Sequence, residues 1–291
     1  GEKLVTGAAD LSLNGGISVT AGTISSTGGI ISASNLSAGA AGIINFQGGT
    51  LNLPSGATLA NGASFSTSNT TLNLGGSLAV ADTWTSTDTS VLLTDNVSLS
   101  STEEMSLATL DTNGHDLMLA SAASDLTITE GVTINYAGFG GLNSGEADLT
   151  LNGSVNVLSG GILSSGGTVT FGTGSSGASF SEENSGMLLE DTTFVLQTAL
   201  DLPHLELSGT SSFQTNGNTL SLGDLEIGVQ NELDLTNVVT NNESGLRLKG
   251  NSAITKTGAI VFKEIGLNGY TLTLNPAITG LTAKNIYLPD Y

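Results

Sequence analysis

A short apolar phrase comes back at a nearly fixed interval along this chain. His204-Leu-Glu-Leu207 returns 20 residues later as Asp224-Leu-Glu-Ile227, and 21 residues after that as Gly245-Leu-Arg-Leu248. Thr50-Leu-Asn-Leu53 returns after 21 as Thr71-Leu-Asn-Leu74. Apolar residues at alternate positions mark a half-buried strand, and a lone strand cannot bury its own apolar face. A period near 20 residues therefore predicts coils that stack, each covering the one before. An antiparallel sandwich would turn back every 8–12 residues or so without a longer repeat. The expected fold is all-β: a single parallel β-solenoid over residues 1–291, in roughly 14 coils of about 20 residues, making a rod of about 70 Å.

A longer duplication supports this. Asp148-Leu-Thr-Leu-Asn-Gly153 repeats Asp10-Leu-Ser-Leu-Asn-Gly15, and residues 160–167 repeat 22–29, both at an offset of 138. Residues 166–168 also match 48–50 at an offset of 118, and 177–181 copy 62–66. The first two offsets differ by 20 residues, so residues 148–181 read as a copy of 10–66 that has lost one unit. The stretch 82–146 is less regular and is expected to hold an excursion, with Ser101-Thr-Glu-Glu-Met105 as a capped helical start. Leu, Ile and Val should stack in columns with Phe46, Phe65, Phe171, Phe180, Phe194 and Phe213, and Trp84 should sit at a corner. Asn-Gly pairs at 14, 113, 152, 216 and 268 suit positive-φ turns, and stacked Asn at equivalent corners should form amide ladders.

Forty glycines taken alone suit a disordered chain, but 38% of residues are hydrophobic and the apolar ones keep period-2 spacing, which disorder has no reason to preserve. Cysteine is absent, so no disulfide or thiolate metal site holds the fold. No stretch approaches the roughly 20 apolar residues of a membrane span, and no basic-then-apolar leader is visible. The net charge is −20, residues 11–81 carry no charged side chain, and five of the six basic residues lie in the last 45 positions. Such a surface repels phosphate backbones, which excludes nucleic acid as a partner.

Motifs for chemistry are sparse. Gly172-Thr-Gly174-Ser-Ser-Gly177 matches G-x-G-x-x-G, but a strand rather than a helix should follow it, so no dinucleotide site is expected. His115 and His204 each precede a Leu-x-Leu strand and are expected as exposed corner residues. Glu206, Glu226 and Arg247 each occupy the outward position of an aligned Leu-x-Leu, about 4.8 Å apart in successive coils. Glu206 and Glu226 are the candidate site residues, either as a glycosidase pair or as part of a calcium site. The competing expectation is an exposed charge ladder in which Arg247 offsets Glu226. Glu103-Glu104, Glu182-Glu183 and Glu190-Asp191 are poorer, because neighbours on a strand point to opposite faces. No catalytic residue and no cofactor is assigned. Calcium would fit such carboxylates, but the nonapeptide calcium repeat is missing.

The phrases DLSLNG, GGTLNLPSGATL, NGNTLSLGDLEI and NGYTLTLN resemble the passenger regions of bacterial surface proteins, of the filamentous-haemagglutinin-like and autotransporter-adhesin types. That resemblance implies a right-handed parallel β-helix, export to the bacterial cell surface, and an adhesive or scaffold role. The Asn-Pro-Asn-Gly-type secretion motif and a C-terminal barrel are missing, which implies an internal passenger segment or a separately anchored subunit. The expected function is thus a non-enzymatic extracellular adhesin or rigid stalk, with glycans or proteins of a host or neighbouring cell as partners. The alternative is a subunit of a filament, sheath or surface layer that self-associates end to end. A lesser alternative is a carbohydrate-active β-helix enzyme.

Overall fold

The structure, a computed structural model, describes residues 2–82, 84–138, 140–181, 185–230, 232–241 and 243–288. The chain winds as a parallel β-solenoid of about 14 turns. Each coil has three strand segments, one on each of three faces. Ser64–Val80 goes round almost a whole coil by itself: residues 64–68 register on 43–47, 70–74 on 49–53, and 77–80 on 56–59. The three registers define a first, second and third face in the order the chain visits them.

Alternate side chains of a strand point the same way, so each face sends a file of apolar residues inward. On the first face Ile24, Ile44, Phe65 and Trp84 follow one another in register. On the second the file is Leu11, Ile31, Leu51, Leu72, Val91 and Leu110. On the third, Ile162, Met187, Leu205, Leu225, Leu246 and Ile265 stack directly, so the repeated Leu-x-Leu phrases lie on top of one another. Burying a side chain of this size stabilises by about 1.5–3 kcal/mol, and the third-face file from Ile162 to Ile265 has no polar member.

Three expectations need correction. Trp84 is not at a corner. It is a buried member of the first-face file, stacked on Phe65 at 5.3 Å, and its indole N–H donates to Thr67 Oγ1 at 2.9 Å. Ser101–Met105 forms a bend between the strands Ser90–Ser101 and Met105–Asp111 rather than a helix, with Ser101 Oγ accepting from the Glu103 N–H. The stretch 82–146 carries strands on all three faces, paired in parallel with their neighbours. Phe180 and Phe213 are only partly buried, whereas Phe46, Phe65, Phe171 and Phe194 are fully inside.

The corners divide the Asn-Gly pairs. Asn113, Asn216 and Asn268 have φ near +50°, each followed by a glycine with φ above +80°. Each Asn amide donates to a leucine carbonyl 20 residues earlier, Leu93, Leu196 and Leu248, at 2.9–3.2 Å. Asparagine tolerates the left-handed region and here also ties the corner to the coil beneath. Asn14 and Asn152 are not left-handed, so those two pairs do not make the expected turn.

The duplicated segments encode a corner rather than a face. Asp10 Oδ1 accepts from the Ile30 N–H at 2.7 Å, and Asp148 Oδ1 accepts from the Thr168 N–H at 2.6 Å. Ser26 Oγ donates to the Gly28 carbonyl and Ser164 Oγ to the Gly166 carbonyl. Yet Leu11 lies on the second face and Leu149 on the first, so the second copy is displaced by one face about the axis. From Ile24 to Leu51 the first copy crosses four face boundaries, whereas Ile162 to Val169 crosses one. The extra residues of the first copy are thus one full coil.

An amide ladder does form, but on the second face and not at a corner. Asn73 Nδ2 donates to Asn52 Oδ1 at 2.7 Å, and Asn52 Nδ2 donates to Ser32 Oγ at 2.8 Å. The next rung is Leu92, paired with Asn73, and it leaves Asn73 Oδ1 without a partner. Leu92→Asn should supply that donor and raise stability by about 0.5–1.5 kcal/mol, offset in part by the lost contacts of a half-buried leucine. A urea midpoint that falls would show the ladder cannot be extended.

Candidate functional site: the charged column of the third face

Glu206, Glu226 and Arg247 occupy the same outward position in three successive coils, as their register requires. Each is flanked by buried apolar residues of the third-face file, which holds the backbone and leaves only the outward side chain free to choose partners. Arg247 Nη1 lies 3.5 Å from Glu226 Oε1, and its Nη2 lies 3.7 Å from Glu264 Oε1. Lys249 reaches across two coils: its Nζ is 2.9 Å from Glu226 Oε2 and 3.3 Å from Glu206 Oε2. The result is a five-membered network of three acids and two bases.

Lys249 and Glu264 were not singled out in the sequence, although a signal existed. Arg247 and Lys249 are two apart, so both project outward from one strand end. The consequence for chemistry is direct. A glycosidase needs one carboxyl group held protonated beside an ionised one. Here both carboxylates share one ammonium, and Glu226 is also against a guanidinium. Its side chain is only 12% exposed, so the ions occupy the space a substrate atom would need. Among the described residues no group of three or more His, Cys, Asp or Glu is placed to hold a metal ion.

Lys249's pKa is raised above 10.5, first by its hydrogen bond to Glu226 and then by the charges of Glu206 and Glu226, against the loss of its own hydration. A raised folded-state pKa gives stability that is fully present below the unfolded value and is lost as pH climbs through the folded one. The stability difference between wild type and Lys249→Met should therefore be full at neutral pH and shrink as pH climbs past 10.5 toward the raised folded value. Half-exposed Lys249 limits that difference to about 1 kcal/mol or less. Paired urea titrations at pH 7 and 11 test this, and a gap as wide at the higher pH as at the lower would rule it out. Lys256 behaves oppositely: it donates to the Val238 carbonyl, and burial lowers its pKa.

The other candidates are scattered. His204 lies half-buried within the strand Leu200–Gly209, in register with Gly186 and Asp224, and not at an exposed corner. His115 is half-buried in the turn after Asn113-Gly114. Glu104 accepts from Thr127 Oγ1 at 2.9 Å. Asp191 accepts from the N–H and hydroxyl of Thr210, and the backbone bond foremost lowers its pKa below 3.8. Glu182 and Glu183 lie outside the described residues. After Gly172 comes a single turn of 3-10 helix, Thr173–Ser175, and then the strand Ser179–Phe180. Gly172 and Gly174 pack against Asn152, where a Cβ would meet its Oδ1 at 1.9 Å and its carbonyl oxygen at 1.7 Å. Close passage of the coil beneath explains these glycines without a nucleotide.

Fold and site together define a class: a three-faced parallel β-solenoid whose clustered charges pair with one another. No protein-family model, curated protein or solved structure matches the chain. No helix among the described residues is long and apolar enough to cross a membrane.

Proposed function

We propose that this chain is a non-enzymatic extracellular segment, an adhesin or rigid stalk of a bacterial surface protein. The observation that carries the reading is mechanical: the third-face file continues in register from coil to coil. Bending such a rod would separate backbone hydrogen bonds along one side. Residues 11–81, about three and a half coils, present hydroxyls, amides and apolar groups with no charged side chain, a surface suited to neutral glycans or protein faces of a neighbouring cell. In the charged column both candidate carboxylates already hold cations, which argues against hydrolysis. A glycan array and a cell-binding assay with the purified chain test the adhesive part. Binding to neither leaves only the stalk, and turnover of any glycan that Glu226→Gln abolishes would overturn the whole.

A second reading has its own support. Ile286, Tyr287 and Leu288, in the last described coil, are each more than half exposed. They offer an apolar strand edge on which another coil can stack, from a longer chain or from a second copy. Sedimentation velocity over a wide concentration range separates these, since only a second copy gives concentration-dependent growth.

A further inference from the structure

We propose that Asn14 is a site of spontaneous chemical modification, converting to isoaspartate while the other Asn-Gly pairs of the fold resist. The reaction is intramolecular. The backbone nitrogen of Gly15 attacks Cγ of Asn14, an N–Cγ bond forms, and the side-chain amide leaves as ammonia with the proton the glycine nitrogen gives up. Water then adds to one of the two carbonyls of the resulting succinimide ring and opens it to isoaspartate or aspartate. No oxidant and no enzyme is needed. What the reaction does need is a side chain free to swing back, a backbone nitrogen free to attack, and no neighbouring side chain to block the ring.

Six Asn-Gly pairs occur in the chain, and five are restrained. Asn113, Asn216 and Asn268 spend their amide groups on Leu93, Leu196 and Leu248 carbonyls, in a left-handed backbone. The Gly114 nitrogen is also engaged, donating to the Asn135 carbonyl at 2.7 Å. Asn152 lays its Oδ1 where a side chain of Gly172 would be, and Gly153 is pressed onto the backbone of Glu130. At Asn61 the attacking nitrogen, that of Gly62, donates to Asp82 Oδ2 at 3.1 Å, and a carboxylate there opposes loss of its proton.

Asn14 has none of these restraints. It and Gly15 are both exposed at the corner between Leu11–Ser12 and Ile17–Ser26. The Asn14 side chain and the Gly15 nitrogen make no hydrogen bond among the described residues, and a Cβ on Gly15 would meet nothing within 4 Å. Only the Gly15 carbonyl is held, by the Ser34 N–H at 3.0 Å. The product would place a carboxylate in a stretch that otherwise has no charge, and isoaspartate would add a methylene to the backbone of the first coil.

The test is incubation of the purified chain in mildly alkaline buffer, folded and in urea, followed by peptide mass mapping and isoaspartyl-methyltransferase labelling. In the folded chain Asn14 should react on the order of tenfold or more faster than Asn113, Asn216 and Asn268, the factor one hydrogen bond contributes. In urea the six sites should converge. Folded rates that are equal, or a pinned site ahead of Asn14, would overturn the proposal. So would an Asn14 that reacts in urea and stays intact when folded. Gly15→Ala fits the space and should slow the reaction at Asn14; an unchanged rate there would rule out the succinimide route.

Discussion

Phe194→Ala should cost about 3–5 kcal/mol of unfolding free energy, the range for emptying a fully buried aromatic site. Phe194 has no exposed surface and sits between two other rings, Phe171 at 5.8 Å edge-on and Phe213 at 6.0 Å. Its removal leaves a hole bounded by strands that are hydrogen-bonded to coils above and below, so they cannot close in. The loss should be local as well as large. In a stack where each coil touches only its neighbours, stability is a sum of coil and interface contributions. Hydrogen exchange should therefore accelerate in the coils holding Phe171, Phe194 and Phe213 and stay nearly unchanged around Ile24. Phe194→Leu should recover more than half of the loss. A uniform acceleration along the chain would show that the rod unfolds as one unit, contrary to this expectation.

The second large effect concerns backbone spacing. Gly56 has φ +82°, and a Cβ there would stand 1.8 Å from the carbonyl oxygen of Ser77 in the next coil. Backbone cannot be pushed aside without breaking the register of residues 56–59 on 77–80, so Gly56→Ala should lose more than about 3 kcal/mol or fail to fold. Two controls separate the causes. Gly114 has φ +89° but open space around it, so Gly114→Ala should cost only the left-handed strain, about 1–2 kcal/mol. Gly15 has neither constraint, and Gly15→Ala should be within about 0.5 kcal/mol of wild type. Urea midpoints of the three variants must fall in that order. If Gly56→Ala ranks with Gly114→Ala, close coil approach is not what selects glycine at position 56.

The winding of the chain was legible because inward positions are redundant. Leu205, Leu225 and Leu246 repeat a pattern that stacking alone demands, and they lie in direct register. The Glu206–Glu226–Arg247 column followed from the same periodicity. The burial of Trp84 is not legible locally, because nothing in its neighbouring sequence says that Thr67, a coil away, offers the acceptor its indole requires in the interior. The helical start at Ser101 failed because the adjoining strands already commit both ends to parallel partners, leaving too few residues for a helical turn.

The period, the inward files and the duplication of Asp10–Gly15 at Asp148–Gly153 are written in the chain's own spacing, since each depends on residues within one or two coils. That the copy makes a corner, and sits one face round from its original, emerges only when the coils are stacked, because a corner is built from local hydrogen bonds and does not know which edge it turns. Only the structure, too, revealed Lys249 between the two glutamates. A lysine's reach spans two coils, and which charges meet at that range depends on how far the stacked strands bring them together.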